Sequence, residues 1–223
     1  ASYLTNVTIT GGNEKGISVL NCDPDLQDLT ISYNNGIGIY CNNSNPYIED
    51  VFIANNGGSG IYCDQSGPVM NNVFITGNSA EFGGGIYCSQ SSPDMSNVTI
   101  TGNSSVYEGG GLYLTESSPV FNSDNRCNIY MNNYPESKGL GADIYSLQND
   151  LIHVVVDTFT VMSPTDYYAS PVNKFTFDIL HSINDNLINA DLYVSVNGDN
   201  SNTGTSSDEP FKTIHYALSR IHA

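Results

Sequence analysis

The chain has no tryptophan, and only six of its 223 residues are Lys or Arg, against 23 Asp and Glu. Its net charge of −17 repels nucleic acid and anionic lipid surfaces, so neither is expected as a partner. Charged residues of both signs amount to 13% of the chain, about half the share in an average soluble domain. No stretch approaches the roughly 18 consecutive apolar residues of a membrane-spanning helix, so no membrane insertion is expected. No basic-then-apolar leader opens the sequence, which reads as mature or excised material. Five Cys are neither the density nor the even number of a disulfide-stapled scaffold.

Uncharged polar residues take the place of the missing charge. There are 28 Asn, one residue in eight, beside 21 Gly and abundant Ser. These residues compete with helix geometry and favour turns, which predicts many short strands and excludes an all-helical fold.

A repeat organises the first two thirds. NVTITGG (6–12), DLTISYN (28–34), DVFIANN (50–56), NVFITGN (72–78) and NVTITGN (97–103) recur at intervals of 22, 22, 22 and 25 residues. Each is followed by a second block, GISV (16–19), GIYC (38–41, 60–63 and 85–88) or GLYL (111–114), and then by a Pro. A sixth, degenerate unit reads NIYMNN (128–133) and ADIYS (142–146). A unit this small cannot close its own core, so neighbours must stack to bury it, and the natural object is a β-solenoid.

Period-two spacing then assigns the faces. Val7 and Ile9, Leu29 and Ile31, Val51 and Ile53, Val73 and Ile75, and Val98 and Ile100 should point inward, opposite Ile17/Val19, Ile39/Cys41, Ile61/Cys63, Ile86/Cys88 and Leu112/Leu114. Leu4, Leu26, Ile48, Met70, Met95 and Phe121 should line a third short side.

These blocks, with GGGI at 83–86 and ITGN at 75–78, resemble the right-handed parallel β-helix proteins of the pectate-lyase-like superfamily, most closely the polymorphic outer-membrane and adhesin-type repeats. The resemblance covers about residues 4–146, with Ile where that family favours Phe. The expected fold is all-β: a single-stranded right-handed parallel β-helix over residues 1–183, clear rungs to 146 and closing rungs over 147–183, then a linker at 184–190. Residues 191–223 are expected to form a strand, a loop and a short amphipathic helix, with Pro210 near its start and Phe211, Ile214, Leu218 and Ile221 on one face. The resemblance implies that such a segment caps the first rung of a β-helix. At the far end of this chain it suggests either head-to-tail assembly of one copy on the next, through a heterologous contact that propagates into filaments, or the start of a further domain of a larger surface protein.

In a stacked coil a recurring residue becomes a column. Asn34, Asn56, Asn78 and Asn103 should form an amide ladder that satisfies backbone groups. Asn6, Asp28, Asp50, Asn72 and Asn97 form another, in which Asp28 and Asp50 on successive rungs, with Asp23 and Asp25 nearby, suggest a Ca²⁺ site against the alternative of solvated surface acids. Cys41, Cys63 and Cys88 share an apolar column and read as buried free thiols rather than a disulfide. Cys22 and Cys127 fall outside that column. Tyr40, Tyr62, Tyr87 and Tyr113 should form an outward ladder, with Phe52 and Phe74 apolar outside strand one. Such aromatics suit sugar rings or another protein's surface, or merely brace the coil. Extra residues at Glu81 and Phe82, Val106 to Glu108 and Tyr134 to Lys138 all fall on one side, where a solenoid commonly builds its binding face.

The resemblance also demands a test for polysaccharide chemistry. Lyases of that superfamily need a basic residue near Ca²⁺-bound carboxylates, yet Lys15 is the one Lys or Arg in the first 125 residues, and no His precedes His153. Hydrolases need carboxylates converging on the outer strand face, where this chain offers Thr8, Thr30, Phe52, Phe74 and Thr99. His153, His181, His215 and His222 show no pairing with a nucleophile motif. The expectation is therefore a non-enzymatic structural or adhesive module, secreted or at the cell surface, whose partners are itself, further domains, or a glycan or neighbouring-cell surface. The alternative is a carbohydrate-binding or polysaccharide-degrading module. Sequons at Asn6, Asn42, Asn97 and Asn103 permit N-glycosylation along a eukaryotic secretory route.

Overall fold

The repeats wind into parallel rungs in the computed structural model, which describes residues 2–132, 140–148, 150–183, 190–214 and 217. The first sheet runs through Tyr3–Thr10, Asp25–Ser32, Tyr47–Ala54, Val69–Thr76, Thr99–Thr101, Cys127–Tyr130, Ile152–Phe159 and Phe175–Ser182. The second runs through Lys15–Leu20, Ile37–Asn42, Ile61–Asp64, Ile86–Ser89, Leu112–Thr115, Ile144–Ser146 and Ala169–Ser170. Register follows the sequence columns: Ile9 pairs with Ile31, Ile31 with Ile53, Ile53 with Ile75 and Ile75 with Ile100. The fold is the expected right-handed parallel β-solenoid.

The interior is an apolar slot between the two sheets. Ile31, Ile53, Ile75, Ile100 and Ile129 on one wall and Ile39, Ile61, Ile86, Leu112 and Ile144 on the other are fully buried. Each such side chain contributes roughly 1.5–3 kcal/mol relative to exposure. Val7 remains 38% exposed, because the first rung has a neighbour on one side only.

Three columns of left-handed backbone turn the corners. Asn6, Asp28, Asp50, Asn72 and Asn97 have φ between 52° and 56°; Tyr33 and Asn55 continue Gly11, Gly77 and Gly102; and Asn21, Asn43, Gln65, Gln90 and Glu116 form the third. Asn and Asp tolerate this region better than other side chains, which explains the acidic column as a bend requirement. The expected third side is present, with Leu26, Ile48, Met70, Met95 and Phe121 buried along it, and from the fifth rung it forms separate short strands, Asp94–Ser96 and Val120–Phe121. Leu4, Leu26, Ile48 and Met70 belong to the same eight-residue strands as the Val/Ile pairs, bent at that column.

Glycine is demanded where the second sheet begins. A Cβ on Gly60 would lie 2.6 Å from the Ile75 side chain and 2.8 Å from the Gly85 carbonyl, and Gly38 and Gly85 sit in the same vice.

Residues 1–181 form one compact unit and 182–223 another. In the second, Phe211 does not lie on a helix face as expected. It forms a bridge with Val194, exchanges backbone hydrogen bonds with Tyr193 and Ser195, and is buried with its ring against Gly204, whose missing side chain leaves it room. Pro210 precedes this bridge, its carbonyl accepting from the Asn202 amide. The helix begins later, its first turn received by the Asn200 Oδ1 that accepts from the Lys212 and Thr213 N–H groups, and Ile214 is 69% exposed. Leu218 and Ile221 lie outside the described residues.

Candidate functional site: the tyrosine flank

The outward positions of the second sheet carry the tyrosines, as their alternation with buried partners requires. Their rings form one continuous stack: Tyr40 to Tyr62 at 5.5 Å, Tyr62 to Tyr87 at 4.4 Å, Tyr87 to Tyr113 at 5.1 Å and Tyr113 to Tyr145 at 5.4 Å between centroids. The Lys15 ammonium caps the Tyr40 end, 4.2 Å from the ring centroid. Burial pushes the phenols of Tyr62 and Tyr113 up to about 12, helped by the neighbouring Tyr87, so both stay protonated at neutral pH.

The stack is less open than its alternation suggests. Tyr113 is buried, which corrects the expectation of an exposed ring. The cause is the insertion on that flank. Ser79–Ala80 and Ser104–Ser105 pair as a small parallel ribbon, extended by the Tyr107 N–H donating to the Glu81 carbonyl. Phe82 stacks on Tyr107 at 4.9 Å and tilts over Tyr113 at 5.0 Å, closing the later part of the ladder.

Earlier rungs have no such insertion, so the flank has a step. On the low side lie Gly57, Gly58 and Ser59; on the high side, Ala80, Glu81 and Phe82. The resulting cleft, about 370 Å³, is floored by the partly exposed rings of Tyr62 and Tyr87. Ser59 Oγ donates to the Phe82 carbonyl across it at 3.3 Å. Its volume falls in the usual range of small-ligand sites, and its lining joins flat aromatic faces to one carboxylate, Glu81.

Phe52 and Phe74 stack at 5.7 Å on the outer face of the first sheet and stay 42% and 37% exposed. They do not join the tyrosine cleft. Asp50 accepts from the Asn72 amide, Asp23 Oδ1 from the Asn45 N–H, and Asp28 stands at its corner, with Asp25 half-buried one strand start away. Among the described residues no three His, Cys, Asp or Glu side chains gather as a metal site.

Cys41, Cys63 and Cys88 stack fully buried as free thiols, in agreement with their column. The Cys63 contact and burial drive the Cys41 thiol far above its usual range. Cys127 also has a column: it takes the place of Val98 in the next rung of the first sheet, and burial raises its thiol to about 11. Asn103 is fully buried in the amide ladder, so its sequon is not accessible.

One ladder, the end of another and one cluster escaped the sequence reading. Ser44, Ser66, Ser91 and Ser117 are buried, each hydroxyl accepting the N–H of the preceding rung; their spacing of 22, 25 and 26 was the available signal. The Asn ladder continues through Asn132 to the Asp143 carboxylate. On the outer face of the closing rungs, Arg126 pairs with Asp178 at 2.7 Å, His181 Nδ1 lies 2.9 Å from Asp157, and His153 Nδ1 lies 2.9 Å from the Thr176 hydroxyl. The Arg126 guanidinium holds Asp178 below the usual carboxylate range.

Among known proteins, a family model described as a right-handed β-helix region matches residues 1–156. No curated protein and no solved structure matches the chain.

Proposed function

Since the chain belongs to the right-handed β-helix family, we propose that it is a non-catalytic adhesive module of that fold, acting outside the cell or at its surface, and that the tyrosine-flank cleft holds a sugar ring of an uncharged glycan. The observation that carries this reading is the step at which Tyr62 and Tyr87 lie flat beneath Phe82 and Glu81. Aromatic faces bury the apolar face of a pyranose, and the Glu81 carboxylate accepts its hydroxyl protons. The net charge of −17 works against polyuronates and favours neutral sugars. On the outer strand face, the Arg126 guanidinium holds the Asp178 carboxyl below the usual carboxylate range, which works against Asp178 as the general acid of glycoside cleavage.

Affinity electrophoresis of the full chain through gels containing neutral or uronic polysaccharides tests this. Retardation in a neutral gel, reduced about tenfold by Tyr87→Ala with the circular dichroism spectrum intact, is expected; one lost aromatic contact accounts for about that factor. Retardation by uronates alone, or by neutral gels irrespective of Tyr87 and Phe82, would remove the cleft from the function.

A further inference from the structure

Beside the rings of Tyr62 and Tyr87, the tyrosine-flank cleft is lined by Ile37, Ala80 and Phe82, all half-buried. Ile37 follows Lys15 in its column, so an aliphatic side chain stands where the previous rung carries an ammonium. Ala80 is fixed by the ribbon it forms with Ser104–Ser105, and Phe82 by its contacts with Tyr107 and Tyr113. Polar groups stand among these walls. Glu81 is acceptor-only as a carboxylate, and the Ser59 hydroxyl spends its proton on a long 3.3 Å bond to the Phe82 carbonyl. The rim of a plain hexose is all hydroxyl, and hydroxyls pressed against Ile37, Ala80 and Phe82 lose water without finding a partner.

We infer that the sugar held in this cleft carries an N-acetylamino substituent, so that the glycan is built of acetamido sugars; the inference rests on the glycan reading and narrows it. The acetamido methyl packs among Ile37, Ala80 and Phe82, the apolar walls that a plain hexose leaves without use. Its amide N–H can only donate, and it meets the Glu81 carboxylate, which can only accept. The Ser59 hydroxyl turns from the Phe82 carbonyl to the acetamido oxygen. Among the described residues no Lys or Arg lines the cleft, so nothing there calls for an anionic substituent. A free amine in the same place would suit Glu81 and the net charge of −17, but its ammonium would be desolvated against those three apolar walls, whereas the neutral acetamido group is not penalised.

The test is isothermal titration of the full chain with three trisaccharides of one linkage, built of N-acetylglucosamine, of glucose or of glucosamine. The acetylated trimer is expected to bind about tenfold more tightly than either of the others, a factor within reach of one buried methyl group and one charge-assisted hydrogen bond. Ser59 follows Ile37 in its column, so Ile37→Ser should fold, and it is expected to shrink that preference. Equal binding of the acetylated and glucose trimers, or a preference untouched by Ile37→Ser, overturns the inference and leaves the glycan reading standing. Tighter binding of the glucosamine trimer overturns it in favour of an ammonium at Glu81. Binding of no trimer up to about 10 mM, weaker than the affinity of any useful sugar site, overturns it together with the glycan reading.

Discussion

Two amide ladders climb the same coil, one inside and one outside, and both end on a carboxylate. Inside, Asn34, Asn56, Asn78, Asn103 and Asn132 each donate from Nδ2 to the next Oδ1 at 2.8 to 3.1 Å, the last to Asp143. Outside, Gln65 and Gln90 repeat the pattern into Glu116. The bond lengths are alike; the surroundings differ. Water can replace any partner lost from the outer ladder, whereas a buried polar group that loses its partner keeps the full penalty of its desolvation. Geometry therefore says little about what each ladder contributes, and burial decides it.

The largest effect that would sharpen this contrast is expected from Asn78→Leu. Asn78 Oδ1 accepts both the N–H and the Nδ2 of Asn56, and its own Nδ2 donates to the Ile53 and Thr76 carbonyls and to Asn103 Oδ1. Leucine keeps the branching but is bulkier, strands the buried Asn56 N–H and removes the amide donor from the Ile53 carbonyl, while Asn56 Nδ2 keeps the Ile31 carbonyl, the Thr76 carbonyl keeps the Asn55 N–H and Asn103 Oδ1 keeps the residue-78 N–H. A loss of roughly 3–5 kcal/mol is expected from urea unfolding, since each stranded buried group costs about 1–3 kcal/mol. A loss below about 1 kcal/mol would mean that the ladder is a by-product of stacking.

At the end of the inner ladder the contrast becomes one of charge. Asp143 Oδ1 accepts the Asn132 N–H and Nδ2, while its buried Oδ2 has no partner. Burial raises the carboxyl from 3.8 to about 7, with Thr160 and Asn132 pulling partly the other way. Because the folded value exceeds the unfolded one, the stabilising protonated form is fully available below about pH 4, and its contribution is lost as pH rises through about 7. Asp143→Asn keeps the acceptor and removes the charge. It should stabilise the fold by about 4 kcal/mol at pH 8 and leave it nearly unchanged at pH 4, as read from paired denaturation curves. Equal stability at both pH values would place the folded Asp143 value close to its unfolded one.

The coil itself was legible because its period is stamped into chemistry that tolerates few substitutes. Gly38, Gly60 and Gly85 stand where any Cβ strikes the next rung, and the Ile columns alternate without exception from Ile31 to Ile100. Departures from the period were harder to read. The ladder's end at Asp143 is one such departure: Asp143 is the register partner of Gly111, and a Cβ on Gly111 would meet Asn132 Nδ2 at 2.7 Å. The rung after Asn132 carries no ladder Asn, so a side chain fits in the glycine column there and its carboxylate completes the row. Nothing in ADIYS alone announces this, because it depends on a residue missing one turn later. The candidate cleft was half legible. The tyrosine column and the side bearing the insertions were both apparent, but the cleft arises from the step between a rung without an insertion and a rung with one. The stacking of Phe82 on Tyr107, which buries Tyr113, required three dimensions. In the last segment, Phe211 and Ile214 fit helical spacing as well as the observed bridge, so periodicity could not separate the two.

The smallest effect is expected from the outer ladder, and it tests the comparison most directly. Gln90→Ala removes the acceptor of Gln65 and the donor to Glu116, two bonds of 3.0 and 2.9 Å, as short as those around Asn78. Gln65, Gln90 and Glu116 are all exposed, so water takes over each broken bond. The expected loss is within about 0.5 kcal/mol, near the floor for surface substitutions, although Gln90 sits at φ 49° and alanine accepts that corner less readily than glutamine's smaller rival glycine would. Gln90→Gly, which relieves the corner, separates the two contributions: the difference between the variants measures backbone strain, and what both share measures the ladder. A shared loss above about 2 kcal/mol would show that the outer row is as cooperative as the inner one, and that exposure is not what divides them.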